Sequence, residues 1–270
     1  MAGYGVKKCD DGIFRLWEKK NVGVAEYLIL GEDKAMLIDT GYGKNGLKQQ
    51  VESMTNLPLI VVNSHYHPDH SADNAQFGKV YLHPDDIPVN GSSDFQRLVN
   101  KLADGFKPMG KLLNFMFPPF DDSTVEYIPM NDGDVFDLGG RKITVHAFRG
   151  HTKGSVMFTD DKTRALFTND CCNYGTWLFT DPETKLSEYS EAVLKLKEQY
   201  KDIKKVYFAH VKKELTTDFF TDYGSFLKRI PKALKIKLPL RGLESPLCIA
   251  IGKTKAGISL LFYFSNQMDL

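Results

Sequence analysis

The sequence is poor in cysteine, and its cysteines form no pattern typical of a structural metal site. None of the four belongs to a Cys-x-x-Cys pair; they are Cys9, Cys171, Cys172 and Cys248. Neighbouring residues such as Cys171 and Cys172 do not easily form a disulfide with each other, so the count argues against a disulfide scaffold. Free thiols persist in reducing compartments, and we therefore expect a cytoplasmic protein.

Long apolar runs are also missing, as is an excess of charge of one sign. No run reaches the roughly 20 apolar residues that a membrane-spanning helix needs, and residues 1–11 contain no apolar core of signal-peptide length. The chain has 35 basic and 34 acidic residues, which gives a formal net charge of +1. Neither a nucleic acid nor an anionic membrane is therefore expected as a partner.

No internal repeat and no low-complexity linker divides the chain. Of its 270 residues, 42 % are hydrophobic and 26 % are charged, which is the composition of an ordinary globular protein. Proteins of the α/β class often reach this length as one unit. We therefore predict a single domain over residues 1–270.

Apolar patterns predict many short strands, interrupted by two helices, and a further helix can begin within residues 71–77. The helices are indicated by Leu47, Val51 and Met54 and by the apolar residues between Leu186 and Tyr200, which recur at helical spacing. Strands are predicted at 13–17, 22–30, 35–38, 57–62, 80–83, 125–128, 135–138, 142–147, 156–159, 165–168 and 205–209. Two further strands, at 247–251 and 258–264, predict a C-terminal hairpin.

Residues 93–118 differ from the rest of the chain. They are rich in large apolar side chains from Phe95 to Phe117, and Pro108 and Gly110 interrupt them. We interpret this stretch as a helical insertion. Three roles stay open for it: a lid over a site, an extra layer of core, or a dimer face.

The densest group of polar residues follows the predicted strand 57–62. His65, His67, Asp69 and His70 lie within six residues. Histidine and aspartate are costly to bury unless they are paired or bind a metal, and imidazole with carboxylate favours a first-row transition metal. Alternate residues of an extended segment share a face, and a turn at Pro68 can bring His70 to the others. The stretch therefore predicts a metal site.

Other polar residues stand at the ends of predicted strands or in the loops that follow them. They are Asp39, His151, Asp170 and His210. Open α/β sheets bind ligands at strand ends, so these positions can supply the ligands that the histidine cluster lacks. His83 and His146 lie within strand patterns instead, and we expect a structural or surface role for His83 and a local hydrogen bond for His146.

The polar residues at the strand ends lie in five short segments: Ile38-Asp39-Thr40-Gly41, Ser64-His65-Tyr66-His67-Pro68-Asp69-His70, Gly150-His151-Thr152-Lys153-Gly154-Ser155, Phe167-Thr168-Asn169-Asp170 and Phe208-Ala209-His210. In sequence and in order, these segments resemble those of the metallo-β-lactamase-fold hydrolases. The resemblance covers about residues 12–212. It implies an α/β fold, a four-layer αββα sandwich, with a two-metal site at one edge of the sheets. The family often has Gly-Gly soon after the Asp-His pair, where this chain has Ser71-Ala72-Asp73-Asn74, and a glycine where this chain has Asn169 and Ala209. We expect these departures to reshape the local backbone and the pocket.

The resemblance also implies a role for each polar residue. One metal takes His65, His67 and His151, the second takes Asp69, His70 and His210, and Asp170 bridges them. Asp39 is expected to orient a ligand, and Asp69, Asp170 and Asp39 are the candidate catalytic residues. The implied cofactors are two divalent metal ions, with zinc favoured and manganese or iron as the other candidates.

A complete ligand set favours hydrolysis over the other activities of the family. We predict a metal-dependent hydrolase that attacks an ester, lactone or thioester of a small molecule with a metal-bridging hydroxide. A phosphodiesterase with the same dimetal site is the first alternative, and a mono-iron persulfide dioxygenase is the second. Because a metal-activated water is the nucleophile, Cys171 is expected to be a small packing residue. Tyr66 and Tyr174 are expected to pack, with a hydrogen bond to substrate as the alternative.

Overall fold

The computed structural model of the protein describes residues 3–19, 23–43, 46–88, 120–178, 181, 183–211, 213–230, 234–238, 247–254 and 257–264. The predicted helical insertion at 93–118 lies outside the described residues. Its roles as a lid, a core layer or a dimer face therefore stay predictions.

The first part of the described chain consists mainly of strands. Its elements are β1 (Tyr4–Asp10), β2 (Ile13–Glu18), β3 (Glu26–Leu30), β4 (Ala35–Ile38), α1 (Leu47–Glu52), β5 (Leu59–Val62), α2 (Pro68–Ser71), β6 (Lys79–Leu82) and β7 (Glu126–Pro129). Short 3-10 turns occupy Asn74–Gln76 and Pro84–Asp86. The helix α2 has proline at its first position, where a missing N–H costs nothing.

The second part contains the longer helices. Its elements are β8 (Val135–Asp137), β9 (Lys142–Ala147), β10 (Val156–Asp160), β11 (Ala165–Phe167), β12 (Gly175–Trp177), α3 (Leu186–Gln199), β13 (Lys205–Tyr207), α4 (Asp218–Arg229), β14 (Leu234–Leu238), β15 (Leu247–Thr254) and β16 (Gly257–Phe264). The predicted C-terminal hairpin is confirmed, since β15 and β16 pair in antiparallel register.

Within the described ranges the strands form three sheets. The first has the order β1-β2-β3-β4-β5-β6-β7 and is parallel from β4 onwards. The second has the order β13-β11-β10-β9-β8, with β11 and β13 parallel. The third has the order β12-β16-β15-β14, and the sequence predicted only its β15–β16 hairpin.

The first two sheets pack face to face over a shared core. Tyr27 and Ile29 of β3 belong to the same buried cluster as Phe158 of β10 and Phe167 of β11. Successive residues of a strand point to opposite faces, so the residue between the first two, Leu28, lies on the outer face of its sheet. This alternation gives each sheet one face for the shared core and one for a helix.

Helices cover the two outer faces. Leu28 packs in a second cluster with Leu47 and Val51 of α1. On the other side, Leu166 of β11 lies in a third cluster with Tyr189 of α3 and further residues of α4. The layers therefore run helix, sheet, sheet, helix, and the predicted αββα class is confirmed. Within the described residues, no helix combines the length and apolarity needed to cross a membrane.

Candidate metal centre

Polar side chains from five segments converge at one edge of the two large sheets. Asp39 follows β4, residues 65–70 follow β5, and Asp170 and His210 follow β11 and β13. His151 lies in the loop that leads into β10, which is antiparallel to β11 and so begins at the same edge. All are buried except His210, whose side chain is 34 % exposed.

Three imidazoles form one compact group. His151 Nε2 lies 2.9 Å from His67 Nδ1 and 3.2 Å from His65 Nε2. In a tetrahedral site with metal–nitrogen bonds of about 2.1 Å, the ligand nitrogens lie roughly 3.4 Å apart. A small outward adjustment would bring His151 Nε2 to this spacing from both neighbours, and the ligand atoms of all three histidines lie within 4.8 Å of one another.

Backbone carbonyls select the tautomer of two histidines at the site. His151 Nδ1 donates to the carbonyl of Trp177 at 2.9 Å, and His210 Nδ1 donates to the carbonyl of Gly23 at 2.7 Å. A carbonyl oxygen only accepts, so each neutral ring carries its lone pair on Nε2. Both Nε2 atoms face the site, which is the orientation of a metal ligand with a hydrogen-bonded outer partner.

A second group surrounds the carboxylate of Asp170. Its Oδ2 lies 3.0 Å from His210 Nε2, 3.4 Å from His70 Nε2 and 3.6 Å from His151 Nε2. Asp69 Oδ2 lies 3.5 Å from His70 Nε2. Among the described residues, Asp69 Oδ1 and His70 Nε2 are buried without a hydrogen-bond partner. Buried polar atoms are seldom left so, and a cation between them would satisfy both.

Asp39 is linked by hydrogen bonds to a histidine of each group, to His70 directly and to His65 through Ser64. Its Oδ2 accepts from His70 Nδ1 and from Ser64 Oγ, each at 2.8 Å, and its Oδ1 accepts from Ser64 N at 2.7 Å. Because the Ser64 hydroxyl proton is used on Asp39, Ser64 Oγ accepts from His65 Nδ1 at 3.1 Å. One buried carboxylate thus orients a histidine of each group. Asp39 has φ 65°, a left-handed conformation that aspartate tolerates better than most residues.

The loop that carries the histidine cluster is fixed by buried side chains. The carbonyl of His70 accepts from Thr40 N at 2.7 Å, Thr40 Oγ1 at 3.2 Å and Asn63 Nδ2 at 3.0 Å. Asn74 joins the same network, since its Oδ1 accepts from Thr40 Oγ1 and its Nδ2 donates to Asn63 Oδ1. Asn74, one of the residues 71–74 that depart from the family pattern, therefore contributes two hydrogen bonds to the network that fixes the His70 carbonyl.

Asp86 links the loop of residues 65–70 to the loop of residues 151–154. Its Oδ2 accepts from Thr152 Oγ1 at 2.7 Å and from Tyr66 N at 3.1 Å, and its Oδ1 accepts from Gly154 N at 2.9 Å. Burial raises the pKa of this carboxyl. Sequence reasoning did not single out Asp86, because its partners lie far from it along the chain.

Burial and charge divide the titratable groups into two kinds. Burial lowers the pKa of His65 and of His67, which keeps both rings neutral as ligands must be. Burial acts in the same direction on His70 and His210, but the Asp69 and Asp170 carboxylates outweigh it and raise the pKa of both. The positive charges of these two histidines in turn hold the pKa of Asp170 well below its usual range, although burial opposes this. Metal binding at this group would therefore displace protons.

Comparison with known families identifies the fold. Residues 22–210 match the family model of the metallo-beta-lactamase superfamily, a range that contains every ligand-type residue described above. The chain belongs to the metallo-beta-lactamase superfamily. The family and the enzyme class predicted from the sequence, a metal-dependent hydrolase, are confirmed.

Two relatives carry a more specific name. The acyl-coenzyme A thioesterase MBLAC2 of Bos taurus is 29 % identical over 206 residues, which cover 70 % of this chain and 74 % of that protein. Its counterpart in Gallus gallus is 27 % identical over 216 residues, covering 73 % and 76 %.

Solved structures agree with the fold at lower identity. A metallo-beta-lactamase from Pontibacter korlensis superposes with a TM-score of 0.56 at 18 % identity, covering 83 % of this chain and 99 % of that one. An archaeal superfamily protein from Sulfolobus tokodaii gives 0.55 at 17 % identity, covering 89 % and 90 %. At this identity the likeness supports the fold alone.

Two tyrosines near the site, Tyr66 and Tyr174, contact neighbouring side chains. The Tyr66 hydroxyl donates to the carboxylate of Asp122. Tyr174 stacks on Phe208 with ring centroids 6.4 Å apart, and it meets Phe219 edge to face at 5.3 Å. These contacts agree with the packing role expected for both side chains.

The remaining candidates also have structural partners. Cys171 and Cys172 are buried in the outer helix core, and burial raises the pKa of both thiols, which disfavours a reactive thiolate. His146 Nε2 lies 2.7 Å from Thr159 Oγ1, the local hydrogen bond predicted for it.

Proposed function

We propose that this protein is a dinuclear metal-dependent hydrolase that cleaves thioesters of the acyl-coenzyme A type. One observation carries the proposal: seven ligand-type residues form two groups around the shared carboxylate of Asp170, and groups of three within this set have ligand atoms within 4.8 Å of one another. Catalytic sites with two ions a few ångströms apart use such a shared carboxylate to hold both.

The ligand sets follow from the contacts. His65, His67 and His151 would hold one ion, and Asp69, His70 and His210 the other. Asp170 would serve both, since its Oδ2 approaches a histidine of each set. Asp39 would act through Ser64 and His70 rather than as a ligand, because both of its oxygens are used in hydrogen bonds.

The bound ions would supply a water of lowered pKa and a positive field for the carbonyl oxygen of the substrate. Side chains of the protein would accept the proton that the attacking water loses. Asp69 would accept the proton of the attacking water through the carboxylate oxygen that does not hold the ion, since its carboxylate is buried beside His70. Hydrolysis then yields a carboxylic acid and a thiol, and a thiol leaves readily as its anion because its ordinary pKa is about 8.5.

One observation favours a thioester among the substrates considered. The relatives of bovine and chicken origin are named as acyl-coenzyme A thioesterases, and the match to each extends over 70 % or more of this chain. Both carboxylates and all five histidines that the predicted two-ion mechanism needs are present, which supports hydrolysis by two ions for any of these substrates. Zinc as the metal, a cytoplasmic location and a single domain over residues 1–270 are further parts of the proposal.

Metal content and a substrate panel test the proposal. The purified protein, dialysed and then loaded with zinc or manganese, should hold close to two ions per chain and hydrolyse acyl-coenzyme A faster than lactones or a bis-aryl phosphate. Exclusive cleavage of the phosphate would make it a phosphodiesterase. One iron per chain with oxygen consumption on a persulfide would make it a dioxygenase.

Two variants test the residue assignments. His67→Ala and Asp170→Asn remove a ligand from one set and from the shared position, and each should abolish turnover and lower the metal content. His83→Ala changes a histidine outside the site and should leave both unchanged. Full activity in both ligand variants would overturn the assignment.

A further inference from the structure

The short strand β12 has its register set by the C-terminal hairpin. Gly175, Thr176 and Trp177 pair in parallel with Leu260, Leu261 and Phe262 of β16, and β12 is the edge strand of that sheet. A three-residue strand is too short to hold its conformation alone. The hairpin lies outside residues 22–210, the range that matches the family. The strand β12, near the metal centre, is therefore paired with a strand of the C-terminal region that lies outside the matched range.

The turn that leads into β12 contacts the shared carboxylate. Asn173 Nδ2 donates to Asp170 Oδ1 at 3.1 Å, leaving Oδ2 directed at the histidines. The carboxamide is itself fixed, because Asn173 Oδ1 accepts from Gly175 N at 2.6 Å and Asn173 N donates to Thr176 Oγ1 at 3.2 Å. Asn173 is only 3 % exposed, so this contact is made away from solvent.

The other end of β12 contacts a histidine of the first group. The carbonyl of Trp177 accepts from His151 Nδ1 at 2.9 Å, and His151 Nε2 lies within 3.2 Å of His65 and His67 nitrogens. A backbone carbonyl moves only with its strand. The position and tautomer of His151 therefore depend on the register of β12.

The hairpin is anchored in the outer core beside these contacts. Leu261, opposite Thr176 in the register, and Ala250, opposite Leu261, are both fully buried in the cluster that also contains Cys171 and Tyr189. Tyr189 Oη in turn donates to the carbonyl of Cys171 at 2.8 Å, next to Asp170. Core packing thus transmits the position of the hairpin to both ends of β12.

We propose that residues 173–177, held in register by the C-terminal hairpin, form an outer support of the metal centre, in which Asn173 positions Asp170 and the Trp177 carbonyl positions His151. The inference rests on the proposed metal centre and adds residues that act through the ligands. It gives the hairpin a role in metal retention. Loss of outer partners of this kind typically weakens metal binding 10- to 100-fold.

Asn173→Ala and Asn173→Leu test the contact with Asp170. The alanine variant leaves room for a water in place of the carboxamide, and the leucine variant fills the volume without a donor. Chelator competition should show at least a tenfold weaker affinity for metal in Asn173→Leu and an equal or smaller loss in Asn173→Ala, with an altered visible spectrum of the cobalt-loaded protein. Exposed Asn131→Ala is the control and should match the parent protein.

A pair of leucine variants tests the hairpin. Leu261 and Leu196 are both buried in the same cluster, but Leu196 lies in α3 and Leu261 pairs with β12. Leu261→Ala should weaken metal affinity about tenfold relative to Leu196→Ala, with both compared at a temperature where thermal unfolding shows them folded. If instead the two bind metal equally, general destabilisation explains the loss and the proposed role of the hairpin is wrong.

The parent protein separates failure of this inference from failure of the proposed function. If the parent binds no metal, the metal centre itself is refuted. If the parent binds two ions and the Asn173 variants bind them with affinities within twofold and with an unchanged cobalt spectrum, only the support role is refuted. If metal affinity falls in the Asn173 variants while the Asn131→Ala control is unchanged, the support role stands.

Discussion

Replacing Asp39 by asparagine should weaken the binding of both metal ions while preserving the fold. The side chains have the same size, and asparagine tolerates the left-handed backbone at this position as well as aspartate does. The carboxamide oxygen can still accept the hydrogen bond from Ser64 N. The NH2 group then lies opposite Ser64 Oγ and His70 Nδ1, which are donors in the parent protein, so neither of these hydrogen bonds can form as before. Each had a 2.8 Å hydrogen bond to the carboxylate.

The magnitude follows from these lost contacts. To accept a hydrogen bond from the NH2 group, His70 must move its proton to Nε2, the atom that the proposed metal ion would contact. Outer-partner losses cost about 10- to 100-fold in metal affinity, or about 1.4–2.7 kcal/mol. Because Ser64 is hydrogen-bonded to both Asp39 and His65, the replacement should weaken the binding of both ions. Ser64→Ala removes only the link to His65 and should weaken one ion.

Stepwise chelator competition with the zinc-loaded protein measures both affinities, and thioester hydrolysis measures their consequence. Asp134→Asn is the matched control. Asp134 also accepts a backbone N–H, from Asn131 at 2.7 Å, but it is exposed in a turn and belongs to neither group of ligand-type residues. The reasoning is refuted if Asp39→Asn binds both ions within twofold of the parent protein, or if Ser64→Ala weakens both ions as much as Asp39→Asn does.

Two further predictions concern stability. Burial raises the pKa of Asp73 to about 6 from 3.8. The folded protein therefore binds this proton more tightly than the unfolded chain does. The contribution of Asp73 to the free energy of unfolding consequently falls as the pH rises from about 4 to 6. Asp73→Asn should therefore raise the free energy of unfolding in urea by about 1–3 kcal/mol at neutral pH and by less at pH 4.5, and an equal gain at both pH values would contradict it. Tyr27 Oη donates to the carbonyl of Phe208 at 2.7 Å, between the two large sheets. Tyr27→Phe should cost about 1–3 kcal/mol and lower the melting temperature by several degrees; an unchanged melting temperature would show that the carbonyl finds another donor.

Much of the fold was predictable because its signals are local. Strands such as β9 were predicted with the bounds that the structure has, since alternating apolar residues report a half-buried strand wherever they occur. The helix α4 was missed, although Phe219, Tyr223 and Phe226 recur at helical spacing. The strand β12 gave no signal, because three residues are too few to show a period.

The sequence by itself determined which side chains are candidate metal ligands, since histidine and aspartate chemistry is carried by residue type and their order matches a family. Only the tertiary structure decided how those side chains are held. The carbonyl of Trp177 and the hydroxyl of Ser64 orient His151 and His65, and nothing in the sequence distinguishes these atoms from others of their kind. Every residue has a carbonyl, and which one meets a histidine depends on the packing of strands distant along the chain. The histidine cluster was therefore predictable, and its outer support was not.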